Sequence, residues 1–146
     1  MDIYYTNSVE NIQHNQLQGF FVDWPTHPSP ERHIEILHAS HGVELAIDTE
    51  TNQVVGFITV ISDGILAGYI PLLEVLPEYQ GKGVGKELVN RITARYENLY
   101  MLDVCCDDSV IPIYADNRFL QVAGMVKRNY ERQSATEPDC IDNSDS

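Results

Sequence analysis

The stretch LLEVLPEYQGKGVGKELVNRI, Leu72 to Ile92, places Gly81, Gly83 and Gly85 at alternate positions between an apolar run and an amphipathic one. Glycine costs backbone entropy and lets another group approach the main chain closely. A strand that passes through such a loop into a helix makes an anion site, because free N–H groups and the positive helix end point at the ligand. No proline interrupts Gln80 to Lys86, so each of Gln80, Gly81, Lys82, Gly83, Val84, Gly85 and Lys86 keeps its N–H. Lys82 and Lys86 add positive charge to an otherwise acidic chain, and the expected ligand is a phosphate or pyrophosphate. Two familiar versions fail on spacing. A P-loop needs GxxxxGK followed by Ser or Thr, but Gln80 stands at its first glycine and Glu87 follows Lys86. A dinucleotide fingerprint needs a third glycine where Lys86 stands.

Upstream of the loop, Ile3-Tyr4-Tyr5 reads as a first strand. Asn7 with Glu10 three residues on suits a capping box, and Ile12, Leu17, Phe20 and Phe21 fit the stripe of a first helix. FVDWPTHPSP is a loop, after which Ser29-Pro30 enters a second helix that ends near Gly42. The runs Val43–Asp48, Val54–Ile61 and Ile65–Leu76 are strand-like, and the turn residues of TETNQ and SDG make them antiparallel hairpins. Downstream, Val84, Leu88, Ile92 and Tyr96 share one helical face. Met101–Cys106 reads as a strand, Ser109 to Phe119 as a short helix, and Gly124–Tyr130 as a closing strand. The resulting order, β-α-α-β-β-β-α-β-α-β, predicts a mixed α-β fold with helices on both faces of the sheet. Residues 1–133 are expected to form a single domain, and 134–146 an acidic, disordered tail.

Composition narrows the partners. The chain of 146 residues is 43% hydrophobic, as a globular domain is. A formal charge of −13 argues against nucleic acid; it suits a cationic partner through steering, or else only keeps the protein in solution. No apolar stretch approaches the roughly 18 residues that would span a membrane, and MDIYYTNSVE does not read as a signal peptide. The expected compartment is the cytosol. Cys105, Cys106 and Cys140 form no CxxC, and the first two read as reduced core or near-core residues. His38 and His41 read as helix-end polar residues, so no metal is expected.

The pattern Q-G-K-G-V-G, Gln80 to Gly85, with LLEVLPEY before it, resembles the central motif of the GNAT superfamily of acyl-CoA-dependent N-acetyltransferases. The whole element order resembles that fold too, whose central sheet is mixed and mostly antiparallel. The resemblance implies that the loop amides hold the pyrophosphate of acetyl-CoA, the co-substrate, while Leu73 to Val75 pairs with the pantetheine arm. The glycines would clear the backbone for it. SVIPIYADNRF, Ser109 to Phe119, is similar to the family segment whose tyrosine protonates the departing thiolate, here Tyr114. It departs from the family at Arg118 in place of Gly, Ile113 in place of an aromatic and Asp107 in place of Asn.

The family binds acceptors between the first two helices and the sheet, which here implies Phe20, Phe21, Asp23 and Trp24. Trp24 beside Asp23 could hold an amine by ring face and charge; equally, FFVDWP could be a hydrophobic plug. Glu74 is placed to take the acceptor's proton, although a strand alternates faces and Glu74 could point away from Leu73 and Val75. Tyr69 is its rival on the other face. The expected activity is acetyl transfer to an amine by direct attack in a ternary complex. An idle acyl-CoA-binding regulatory module is the alternative. The acceptor is expected to be a small molecule, with a protein acceptor or a homodimer left open.

Overall fold

A computed structural model of the chain describes residues 2–137. Its strands are β1 (Ile3–Thr6), β2 (Gly42–Asp48), β3 (Gln53–Ser62), β4 (Ala67–Ile70), β5 (Leu73–Val75) and β6 (Met101–Val104). Its α-helices, among the described residues, are α1 (Pro30–Ala39), α2 (Val84–Arg95) and α3 (Ile111–Ala115). The strands form one sheet in the order β1-β2-β3-β4-β6, with β5 also paired to β3. Every pairing is antiparallel except β4 with β6, which is parallel.

The hairpins form where the turn residues predict them. Asp63 Oδ1 accepts the N–H groups of Ile65 and Leu66 at 2.8 Å each, and Gly64 adopts φ +74°. These bonds tie the SDG turn before β4. Ser29 caps α1 by accepting the Arg32 N–H at 3.1 Å, with Pro30 in the first turn. Alternate residues of β2 then build two cores. Val43, Leu45 and Ile47 join Leu37 of α1 with Leu17, Phe20, Phe21, Val54 and Phe57. Ala46 turns to the other face, where Val55, Ile58, Val60 and Ile70 pack on Val84, Leu88, Val89 and Ile92 of α2. Helices therefore cover both faces, as the sequence predicts.

Three elements differ from the sequence reading. The first helix is absent: a single 3-10 turn, His14–Gln16, stands in its place. Leu17, Phe20 and Phe21 are buried as the stripe requires, but Gly19, Phe21 and Asp23 take φ +89°, +64° and +67°, which no α-helix contains. The run Ile65–Leu76 breaks at Pro71–Leu72. Ile61 faces Tyr69 and Ile58 faces Leu73, so four steps on one strand match three on the other. That extra residue is a bulge, and it puts Tyr69 and Glu74 on the same face rather than opposite ones. The expected closing strand, Gly124–Tyr130, joins no ladder, because its backbone finds no partner strand among the described residues. Of the expected acidic tail, residues 138–146 lie outside the described residues, as does Cys140.

Among the described residues no helix is long and apolar enough to cross a membrane. No group of three or more His, Cys, Asp or Glu among them could hold a metal ion.

Candidate active site

The sheet opens beyond the β4–β6 pairing. β5 stays with β3, while β6 runs on into Cys105–Asp107, and a cleft of about 570 Å³ lies between them. Leu73, Glu74, Gln80, Asp23, Trp24 and Tyr114 all line it. These six sequence-predicted residues meet there, whereas Phe21, Val75 and Gly81 to Lys86 are not among the residues that line it.

One wall is backbone. The N–H of Leu76 donates to Val55 and that of Thr59 to Leu72. Antiparallel alternation therefore turns the polar groups of Leu73 and Val75 away from β3, as a free edge. The Val75 carbonyl accepts Gln80 Nε2 at 2.9 Å, and the Gln80 N–H donates to Pro77, so Gln80 braces the loop and is not a free donor. Beyond it, Gly81 and Gly83 take φ +76° and +85°, and a Cβ at either would meet nothing within 4 Å. Gly83 is the N-cap of α2 with no side chain capping it. Glu87 is the first residue to donate into the helix, to Gly83. Hence none of the N–H groups from Gly81 to Lys86 makes a hydrogen bond of ordinary geometry among the described residues. Lys82 and Lys86 are exposed beside them, in no ion pair among the described residues. This set fits a phosphate-bearing ligand: open donors, a positive helix end and no side chain in the way. Gly85 differs from the other two glycines. It packs on Val75 and Ile113, where an added Cβ would come within 3.6 Å of Val75.

The other wall is held from far away. Glu74 accepts the Phe21 N–H at 2.8 and 2.9 Å and the Val22 N–H at 3.2 Å, spanning more than fifty positions of sequence. These bonds pin the left-handed turn at Phe21. Burial pushes the Glu74 carboxyl above its ordinary value, and the two N–H groups oppose that rise. Phe21 is buried against Trp24, ring centroids 4.8 Å apart, while Val22 and Asp23 are exposed. FFVDWP therefore splits: its phenylalanines are core, and Val22, Asp23 and Trp24 face the cleft.

Those three residues also line a second cavity of about 410 Å³, which His33 closes from α1. His33 is 1% exposed, and neither of its ring nitrogens has a hydrogen-bond partner. Phe57, Phe21 and Phe20 surround it at centroid distances of 4.5, 4.9 and 5.4 Å. Burial pulls its pKa down to about 4, so the ring is neutral at neutral pH. Sequence reading missed His33, whose one signal was its place four residues before Leu37 on the buried stripe of α1.

Tyr114 sits on the short helix α3, buried, its ring edge-on to Phe119 at 5.2 Å. Burial raises its phenol well above the ordinary value, so it holds its proton. Arg118, where the resemblance leads one to expect Gly, adopts φ +70° two residues beyond Asp116, the C-cap of α3, with Phe119 N–H returning to the Tyr114 carbonyl. Cys105 and Cys106 are exposed and line the cleft, a correction to their reading as core or near-core residues. Asp107 and Arg128 line it as well. Tyr69 shares the face of Glu74, and burial, with Cys105 beside it, raises its phenol.

Comparison with known proteins agrees with this architecture. Residues 9–115 match the family model described as the acetyltransferase (GNAT) family. A crystal structure of a protein assigned as an acetyltransferase, from Deinococcus radiodurans R1, is 38% identical with a TM-score of 0.88, over 94% of this chain and 95% of that one. Two more distant structures share the fold alone. Glucosamine-6-phosphate N-acetyltransferase from Arabidopsis thaliana is 11% identical, with a TM-score of 0.67 over 88% of this chain and 99% of that one. An assigned acetyltransferase with acetyl-CoA, from Clostridium acetobutylicum, is 14% identical, with a TM-score of 0.62 over 90% of this chain and 98% of that one. A search of the curated proteins finds no match. With the family model spanning β2 to β6, the glycine loop and Tyr114 together, the chain belongs to the GNAT acetyltransferase family.

Proposed function

We propose that this chain is an N-acetyltransferase that moves the acetyl group of acetyl-CoA to a small, cationic amine bound in its neutral form. The observation that carries the reading is the run of unpartnered N–H groups from Gly81 to Lys86, which follows directly on Gln80, a residue that lines the cleft together with Leu73 of β5 and Tyr114. Those amides, with Lys82 and Lys86, would hold the pyrophosphate, and the free N–H and C=O of Leu73 with the N–H of Val75 the pantetheine amides. Acetyl-CoA supplies a thioester carbonyl to be attacked.

The residues of this chain do the rest. Asp23 and Glu74 give the acceptor side a negative field that draws in an ammonium group. Trp24 presents a ring face to the acceptor's body. Glu74, raised by burial, is suited to relay the ammonium proton outward, directly or through water. The Tyr114 hydroxyl, held protonated, gives its proton to the departing sulfur. His33 offers a neutral ring nitrogen to one polar group of an acceptor that enters the second cavity.

The test is release of free thiol from acetyl-CoA across a panel of amines. Release with a cationic amine that carries an apolar or aromatic body supports the reading. Coenzyme A binding without thiol release from any amine would overturn it in favour of an idle acyl-CoA-binding module.

A further inference from the structure

The open amides of Gly81 to Lys86 take their placement from what holds the two ends of their loop, since none of them is bonded among the described residues. The far end is α2, anchored by the buried side chains of Val84 and Leu88. The near end has two anchors. Gln80 Nε2 reaches only five positions back, to the Val75 carbonyl. Tyr79, which closes the 3-10 turn Pro77–Tyr79, reaches 31 positions back, where its hydroxyl donates to Asp48 Oδ2 at 2.5 Å. Among the described residues no other side-chain hydrogen bond ties residues 77–86 to a strand other than β5.

Asp48 is the last residue of β2 and is 4% exposed. Its two carboxylate oxygens have separate tasks. Oδ1 accepts the Glu50 N–H at 2.9 Å, while the Asp48 carbonyl accepts the Asn52 N–H at 2.7 Å, and these bonds shape the turn into β3. An asparagine would serve that turn equally well. Oδ2 serves Tyr79. A carboxylate buried this far is unfavourable unless a strong partner holds it, so the charge is explained by the loop rather than by the hairpin. A hydrogen bond to a charged acceptor is roughly twice as strong as a neutral one. The Tyr79 ring also stands beneath Lys82, whose Nζ is 5.9 Å from its centroid. The anchor therefore bears on a cation of the loop as well as on its amides.

We propose that Asp48 is a positioning residue of the acetyl-CoA site: through the Tyr79 hydroxyl it fixes the near end of the glycine loop and keeps the open amides in the arrangement that a pyrophosphate needs. A loop held in its binding form before the ligand arrives loses less freedom on binding. Neither Asp48 nor Tyr79 lines the cleft, so their effect on the ligand passes through the loop. This role rests on the acetyl-CoA reading above.

Calorimetric titration of coenzyme A should give an affinity about tenfold lower in Tyr79→Phe than in the wild type, the fold-change of one charge-assisted hydrogen bond. Asp48→Asn keeps the turn and a neutral partner for Tyr79, so its loss should be smaller. The double variant should lose no more than Tyr79→Phe, because both substitutions act on the same bond. Pantetheine, the part of coenzyme A without the pyrophosphate, should bind the wild type and the variants equally in an NMR titration. General damage to the fold would weaken both ligands. Equal coenzyme A affinity in Tyr79→Phe and the wild type would overturn the role of Asp48 and leave the acetyl-CoA reading standing. So would an equal loss for pantetheine, or losses that add in the double variant. No binding of coenzyme A by the wild type would overturn both.

Discussion

The two walls of the cleft are built by different means. The glycine-loop wall, Leu73 to Lys86, is nearly all main chain from consecutive residues, and its donors are fixed by φ angles that only glycine takes cheaply. The tryptophan wall, Phe20 to Trp24, is set by a carboxylate from another strand and by a packed aromatic cluster. The first is a local device that recurs wherever its short motif recurs. The second depends on particular side chains meeting across the fold, so it can change with the acceptor while the first stays fixed.

The largest effect expected lies where the walls meet. Tyr114→Phe removes a hydroxyl and leaves the ring on Phe119, so the fold should persist while kcat falls about 10²–10⁴-fold. Because burial raises the phenol, the wild-type rate should show no alkaline limb from this group within the ordinary tyrosine range. Steady-state rates against pH check both points, and an unchanged kcat would reduce Tyr114 to packing.

Acid should loosen the tryptophan wall first. The pKa of His33 is about 4 when folded, against 6.5 unperturbed, so between those values the unfolded chain binds more protons. The stability contributed by neutral His33 is full above pH 6.5 and is lost as pH falls towards 4, a change on the order of 3 kcal/mol. Denaturant midpoints followed across that window should flatten in His33→Leu. An equal slope in the variant would show that other groups carry the effect.

Glu74→Gln sharpens the comparison further. If the carboxylate acts mainly by holding Phe21 and Val22, the amine KM should rise about tenfold, the cost of weakening one charge-assisted hydrogen bond, with kcat nearly kept. A kcat loss of about 10²–10⁴ with KM unchanged would make proton transfer its main task. The smallest effect belongs to the loop after α3. Arg118→Gly relieves a left-handed arginine and should stabilise the fold by about 0.5–1 kcal/mol, read from thermal or denaturant unfolding.

The contrast also explains what could be read in advance. The glycine loop, the α2 stripe and both hairpin turns were legible because each is decided by residues within a few positions of one another. The helix expected over Ile12–Phe21 was not, because Glu74 takes the Phe21 and Val22 amides from more than fifty positions away and holds the chain out of helix. The bulge at Pro71–Leu72 shows only in the register against β3. Gly124–Tyr130 reads as a strand by composition, but ladder partners are a property of the whole fold. His33 looked like one more polar helix residue until three phenylalanine rings closed around it.

Calorimetric titration of coenzyme A into the wild-type chain and into Gly83→Val tests most directly whether the glycine-loop wall is the cofactor site. Gly83 has φ +85° and open space where a side chain would grow, so valine should strain only this turn while standing over the α2 amides. Losing two hydrogen bonds to a charged group, at about 1.5–3 kcal/mol each, lowers affinity about 10²–10⁴-fold. The account predicts binding by the wild type and that loss in a folded variant. No binding by the wild type, or equal affinity in a folded Gly83→Val, would contradict it.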